Sequence, residues 1–259
     1  MPEPKDINPP DNLDWQSWVD RWDRMQARHI PRRTERFETI VRLIKATQPH
    51  VTRVLDLGCG TGSLMLTIHT AFPAADITGI DFDPTMLWLA RARCARLGSR
   101  ARIELLDLRD PAWLQSITVP VDAVVSATAL HWFTAGELAV LYRQIAGILK
   151  PGGMFLNADH AGSDVLTIQT EWERERDAML AQEDAFHNET WEEFWAAFAQ
   201  ALNLDIDEIR KRVIGGWEGG IEEGLPLAWH FDKLREAGFV DVDCFWRCAY
   251  DAIYGGVRG

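Results

Sequence analysis

Three aspartates that each close an apolar run, Asp56, Asp81 and Asp107, and three glycines at alternate positions, Gly58, Gly60 and Gly62, stand out in this chain of 259 residues. A carboxylate at the tip of a strand can accept hydrogen bonds from the hydroxyl or ammonium groups of a ligand. The glycines let the backbone turn sharply and approach that ligand where any Cβ would intrude. Asp81 follows the glycines by about twenty residues, the offset at which an acid on a second strand takes the two hydroxyls of a ribose. Further on, His131 and His160 supply imidazoles, whose ordinary pKa near neutrality suits removal of a proton from a hydroxyl, an amine or an activated carbon. The acids and glycines imply a bound nucleotide, and the imidazoles add proton transfer to the chemistry allowed.

These side chains need a frame. Arg53–Leu57 is an apolar run that suits a buried parallel strand, and a helical pattern begins near Ser63 with its free N–H groups aimed at the glycine turn. A second strand is predicted over 77–81. Asp83 and Pro84 then read as the N-cap and first residue of a helix, and Asp110 and Pro111 as another such pair. Strands over 102–106 and 121–126 follow. Leu138, Leu141, Ile145 and Leu149 share one side of a helix over 136–149, which Lys150-Pro151-Gly152-Gly153 stops before a fifth strand over 154–158. Near the end, a helix over 227–237 stopped by Gly238 leads to a strand over 240–247 and an antiparallel one over 250–257. Strands alternating with helices predict a doubly wound, mostly parallel sheet of seven strands.

The glycine spacing is not that of a dinucleotide fingerprint, G-x-G-x-x-G, but G-x-G-x-G with Asp56 two residues ahead of the first glycine. Val54-Leu55-Asp56-Leu57-Gly58-Cys59-Gly60-Thr61-Gly62 resembles the first motif of class I S-adenosylmethionine (SAM)-dependent methyltransferases, and Leu149-Lys150-Pro151-Gly152-Gly153 and Leu234-Arg235-Glu236-Ala237-Gly238-Phe239 are further marks of that family. The loop Leu130-His131-Trp132 resembles that of a small-molecule branch including trans-aconitate methyltransferase-like proteins. The resemblance implies SAM as cofactor. It places Gly58, Cys59 and Gly60 under the methionyl part, Asp56 on the ammonium, Asp81 on the ribose, Phe82 beside the adenine, Asp107 and Leu108 on the adenine edge, and Ala127 at the start of the acceptor loop. His131 becomes the foremost candidate base and His160 the second, with His187 and His230 behind them. The implied activity is methyl transfer to the O, N or C atom of a small, partly apolar metabolite; a SAM-binding module without turnover, or an enzyme that derivatises SAM itself, are the alternatives. Asp159, His131 and His160 could converge on a metal, but nothing in their spacing demands one, and none is expected.

Composition bounds the rest. Hydrophobic residues at 47% and charged ones at 25% are ordinary for a globular protein. A net charge of −12 argues against a nucleic-acid partner, and no apolar stretch reaches the roughly 18 residues that span a bilayer. Four cysteines without a paired ligand motif read as reduced thiols, and with no signal-peptide layout the expected location is the cytoplasm, as monomer or homodimer. Residues 1–48 form an expected N-terminal helical arm in which Trp15, Trp18, Trp22, Met25 and His29 share a face. Residues 49–259 form the SAM-binding domain, with a helical lid inserted at about 160–225. That insertion carries helical patterns over 170–182, 191–202 and 205–213 and a glycine-rich connector at 215–220. Asn188 or Thr190 could cap its middle helix, and some of Phe186, Trp191, Phe194, Trp195 and Phe198 could line an acceptor pocket.

Overall fold

A computed structural model of the chain describes residues 13–184, 189–203, 205, 220–221 and 224–259. The seven strands are β1 (Arg53–Leu57), β2 (Asp76–Asp81), β3 (Ala101–Leu105), β4 (Val121–Ala127), β5 (Leu149–His160), β6 (Phe239–Cys248) and β7 (Asp251–Arg258). They form one sheet in the order β3-β2-β1-β4-β5-β7-β6. Pairing is parallel from β3 across to β5 and antiparallel where β7 enters between β5 and β6. The chain runs outward from β1 to β2 and β3, then returns to β4 on the other side of β1. That reversal opens a crevice at the carboxyl ends of β1 and β4, where doubly wound sheets take ligands.

Eight described helices accompany the sheet: α1 (Trp15–His29), α2 (Arg33–Thr47), α3 (Ser63–Ala71), α4 (Pro84–Cys94), α5 (Ala135–Ile148), α6 (Leu166–Asp184), α7 (Trp191–Leu202) and α8 (Leu227–Glu236). Two apolar layers cover the two faces of the sheet. One packs α5 and α8 onto it through Leu138, Leu141, Ile145 and Leu234; the other packs α2, α3 and α4 through Ile40, Ile44, Met65 and Leu87. Strands buried on both faces are mostly apolar, which is why β1 and β4 read as near-continuous runs.

A third cluster lies off the sheet. Trp22 and Met25 of α1, Trp88 and Leu89 of α4, and Phe194, Trp195 and Phe198 of α7 are all buried together. Trp18 and Trp22 meet Phe194 edge to face with ring centroids 5.8 and 5.2 Å apart. Such aromatic pairs contribute about 0.5–1.5 kcal/mol each beyond the area they bury. The aromatic face of the arm therefore packs mainly on the inserted helices and α4.

Several boundaries differ from the sequence expectation. β5 begins at Leu149 rather than after the glycines, because Leu149 pairs with Val121 and a register shift between Val121 and Ala123 absorbs Pro151-Gly152-Gly153. At its other end β5 continues through His160, held by pairing with Asp251 of β7. α6 starts earlier than expected, at Leu166, while α7 spans 191–202 as read. Thr190 caps α7, its side chain and that of Glu193 forming a reciprocal box. Phe186, His187, Asn188, most of the helix expected over 205–213 and the connector at 215–219 lie outside the described residues.

Candidate active site

All eleven residues singled out in the sequence border one cavity of about 500 Å³ over the crevice: Asp56, Gly58, Cys59, Gly60, Asp81, Phe82, Asp107, Leu108, Ala127, His131 and His160. The strand tips form its floor. Its walls come from the arm through Trp22, Gln26, His29 and Arg33, and from the insertion through Arg176, Trp191 and Trp195. Of the aromatic stripe expected at an acceptor pocket, Trp191 and Trp195 reach the cavity, while Phe194 and Phe198 pack in the cluster of α1, α4 and α7.

The glycine turn is built for close approach. Gly58, Gly60 and Gly62 have φ of +66°, +51° and +75°, the left-handed region that glycine enters without penalty. A Cβ on Gly58 would sit 2.4 Å from the Cβ of Ala129, whereas one on Gly60 would project into open space. Gly62 ends the turn without a side-chain cap, so the first N–H groups of α3 stay available. The Cys59 N–H donates to the Ile80 carbonyl at 2.9 Å, and its thiol packs in the core near Met65, raised well above the usual range by burial and the nearby acids.

Four acids crowd the floor. Asp81 accepts from the Gly60 N–H at 2.8 Å and the Asp83 N–H at 3.0 Å, and so ties the tip of β2 to the glycine turn. Burial raises its carboxyl despite those N–H groups, which act the other way. Asp56 is 1% exposed, its Oδ2 is buried without a hydrogen-bond partner among the described residues, and burial together with Asp81 pushes its carboxyl well above the usual carboxylate range. Asp83 caps α4 as read, accepting from the Thr85 N–H and Oγ1 at 2.8 Å each, yet it too borders the cavity and is pushed up to about 7 by burial and by Asp81. Asp107 differs. Burial works against its charge, but hydrogen bonds from Arg109, at 2.7 Å from Nη2, outweigh burial and hold the carboxyl low.

At the far end, His131 sits in a 3₁₀ turn, Leu130–Trp132, that follows β4. Its Nδ1 lies 2.6 Å from Asp159 Oδ1, and Asp159 Oδ2 accepts the N–H groups of Leu130 at 2.8 Å and His131 at 3.0 Å. Asp159 also accepts the His160 N–H at 2.9 Å. Burial opposes ionisation of Asp159, but the His131 charge and hydrogen bond, then His160, prevail and hold its carboxyl well below the usual range. An ionised Asp159 takes the Nδ1–H of His131, so that in the neutral ring Nε2 is the acceptor. The His160 ring stacks on that of His131 at 4.6 Å and stands 3.5 Å from Asp251, which pairs with buried Arg36 at 3.4 Å. His131, Asp159 and His160 have potential ligand atoms within 4.8 Å of one another. With N–H donors already on both of its oxygens, Asp159 is the orienting partner of an imidazole rather than a free metal ligand. His230 lies elsewhere, buried between the Tyr142 and Tyr254 hydroxyls at 2.7 and 3.2 Å, with its pKa pushed down to about 4 by burial.

A family model described as a methyltransferase domain matches residues 54–153. The trans-aconitate 2-methyltransferase of Streptomyces avermitilis is 28% identical over 193 residues, covering 71% of this chain and 68% of that protein. Residues 54–153 thus carry a methyltransferase domain, and the chain is similar to SAM-dependent methyltransferases. The malonyl-[acyl-carrier protein] O-methyltransferase of Magnetococcus marinus is 26% identical over 207 residues, covering 78% of this chain and 67% of the relative. The fold is also that of human N-acetylserotonin methyltransferase in complex with SAM, with a TM-score of 0.54 and 18% identity; the match covers 97% of this chain and 61% of that one. No described helix of the chain is long and apolar enough to cross a membrane.

The floor of the cavity fits SAM on two observations. The unpartnered Oδ2 of Asp56 suits an ammonium group, and the open space above Gly60 is a cradle that a side chain would fill. Some polar groups that brace the cavity's lining residues carried no sequence signal of their own. Asp23 of α1 accepts from Arg93 of α4 at 2.7 and 2.9 Å and from Ser63 Oγ at 3.3 Å, and it pairs with Arg33 at 3.4 Å. Arg93 also donates to the Thr61 carbonyl at 2.8 Å. Asp23 and Arg93 are 70 residues apart, and no local pattern foretells such a partner.

Proposed function

We propose that this chain transfers the methyl group of SAM to an oxygen of a small, partly apolar hydroxyl compound, with His131 as the base. Bound in the cavity, SAM supplies an electrophilic methyl group on a sulfonium. On this reading Asp56 holds the ammonium, Gly58, Cys59 and Gly60 pass beneath the methionyl chain, and Asp81 takes the ribose hydroxyls. Phe82 flanks the adenine, with Asp107 and Leu108 at its edge and Ala127 at the start of the acceptor loop. Arg33, joined through Asp23 to Ser63 at the end of the glycine turn, is the cation placed for the methionyl carboxylate. The arm and the insertion act as a lid that excludes water and aligns the acceptor. His160 stacks on His131 and keeps its ring in place.

The observation that carries the oxygen acceptor is the 2.6 Å contact between His131 Nδ1 and a buried, ionised Asp159. An imidazole fixed in one tautomer with a free acceptor nitrogen suits a hydroxyl, which must lose its proton as it is methylated. The same reading makes the enzyme a cytoplasmic monomer or homodimer acting on small molecules rather than nucleic acid, which the net charge of −12 supports. The test is release of S-adenosylhomocysteine (SAH) from SAM with a panel of small phenols and alcohols, beside calorimetric titration with SAM. His131→Ala is expected to lower turnover by about 10²–10⁴-fold while leaving SAM affinity within twofold. Undiminished turnover in that variant, or transfer confined to acceptors without a hydroxyl, returns His131 to a scaffolding role.

A further inference from the structure

Charge is sorted along the cavity. Asp56, Asp81, Asp83 and Asp107 occupy the strand-tip floor, whereas Arg33 and Arg176 enter from helices of the arm and the insertion. Arg33 has a carboxylate partner in Asp23. Arg176 of α6 has none among the described residues. Its Nη2 donates to the His29 carbonyl at 3.4 Å, its guanidinium lies over the Tyr250 ring at 5.2 Å, and its Nε is buried with no hydrogen-bond partner among the described residues. A guanidinium has five N–H donors in a planar fork matched to a carboxylate, and here most of them remain to be used.

Arg176 is also placed at the acceptor end. Tyr250, beneath it, meets His160 edge-on at 5.2 Å, and His160 stacks on His131 at 4.6 Å. From Arg176 the contacts run through Tyr250 and His160 to His131, in steps of 5.2, 5.2 and 4.6 Å. Trp132, Trp191 and Trp195 add apolar surface to the same cavity. Asp251, the acid near His160, does not oppose an incoming anion strongly, because buried Arg36 counters it at 3.4 Å.

Resting on the methyltransferase reading above, we propose that Arg176 makes the enzyme selective for acceptors that carry a carboxylate remote from the atom to be methylated: small, planar, hydroxylated acids. The carboxylate pairs with Arg176, the ring lies among the tryptophans, and the hydroxyl reaches His131. The acidic floor reinforces the orientation, since it attracts the cationic cofactor and repels the acceptor's anionic end.

The experiment uses the full chain saturated with SAH and measures binding by calorimetry at pH 7.5. Its probes are 4-hydroxybenzoate and 3-(4-hydroxyphenyl)propionate, each against its amide, which keeps the shape and loses the charge. At least one acid is expected to bind tenfold or more tightly than its amide. Arg176→Met should remove that preference, with amide and SAH affinities staying within twofold, and Arg176→Lys should restore part of it. Equal binding of acids and amides, absence of binding by both, or a preference that survives in Arg176→Met overturns the proposal. Should Arg176→Met not fold, the comparison of the wild-type protein with Arg176→Lys decides. A protein that fails to bind SAH in the first titration defeats the methyltransferase reading instead, so the two failures are separable.

Discussion

Asp81 serves two structures at once. Its oxygens accept the N–H groups of Gly60 and Asp83, with that of Phe82 also favouring its charged form, and a carboxylate has about four lone-pair sites, so capacity remains for a ligand hydroxyl. Asp81→Ala should therefore weaken SAM binding by about 1–3 kcal/mol, the usual value of hydrogen bonds to a charged group. Calorimetry measures this, and an unchanged dissociation constant would remove Asp81 from the cofactor's contacts. Asp81 and Asp56 were legible in sequence because each closes an apolar run, and a strand tip has only one place to put its last side chain. Asp83 was legible only in part. Asp-Pro at a helix start announces a cap, which the structure contains, but the burial that pushes its carboxyl up to about 7 depends on neighbours from other elements. The sequence allowed Asp159, His131 and His160 to converge, but the hydrogen-bonded pairing of His131 with Asp159, 28 residues apart, came only with the fold.

Between elements, a charge network ties the arm to the cofactor end. Asp23 of α1 gathers Arg93, Arg33 and Ser63, while Arg93 reaches the Thr61 carbonyl inside the glycine turn. Arg21 of α1 adds an ion pair to Glu189, ahead of α7. Asp23→Ala leaves Arg93, almost fully buried, without its carboxylate. The expected outcome is a loss of about 1–3 kcal/mol of stability and faster hydrogen exchange in α1, with β1 and β4 protected as before. Exchange in α1 that does not change would show the aromatic cluster alone holds the arm. Local signals set the helices well: the span of α7 follows from Thr190, Glu193 and its apolar face. They set β5 poorly, because Pro151-Gly152-Gly153 reads as a break and only pairing with β4 and β7 extends the strand across it.

Across the protein, the acids divide into two groups with opposite pH behaviour. Asp56, Asp81 and Asp83 have raised pKa values, so the stability they allow is fully present below the unfolded value near 4 and is lost as pH rises. For Asp83 alone, raised to about 7, the loss over that window is on the order of 4 kcal/mol. Asp122, held at about 2 against its burial by Lys150 and by Thr52 and Arg53, acts the other way, with stability present above about pH 4 and lost as pH falls through 2. The cofactor-free protein should thus be most stable on the acid side of neutrality. A cationic ligand favours the ionised acids, so SAM affinity should rise from pH 5.5 to 8 and binding should release protons. Calorimetry in two buffers of different ionisation enthalpy measures that release, and a pH-independent affinity would mean the acids do not face the cofactor. The chain's local order determined the strand–turn–helix units, the glycine turn and the acids at the strand tips, because these follow from periodicity and backbone freedom within a few residues. Folding in three dimensions decided which carboxylates lose water, which imidazole gains an orienting acid and which arginine meets the acceptor, because burial and long-range pairing exist only once distant segments are packed together.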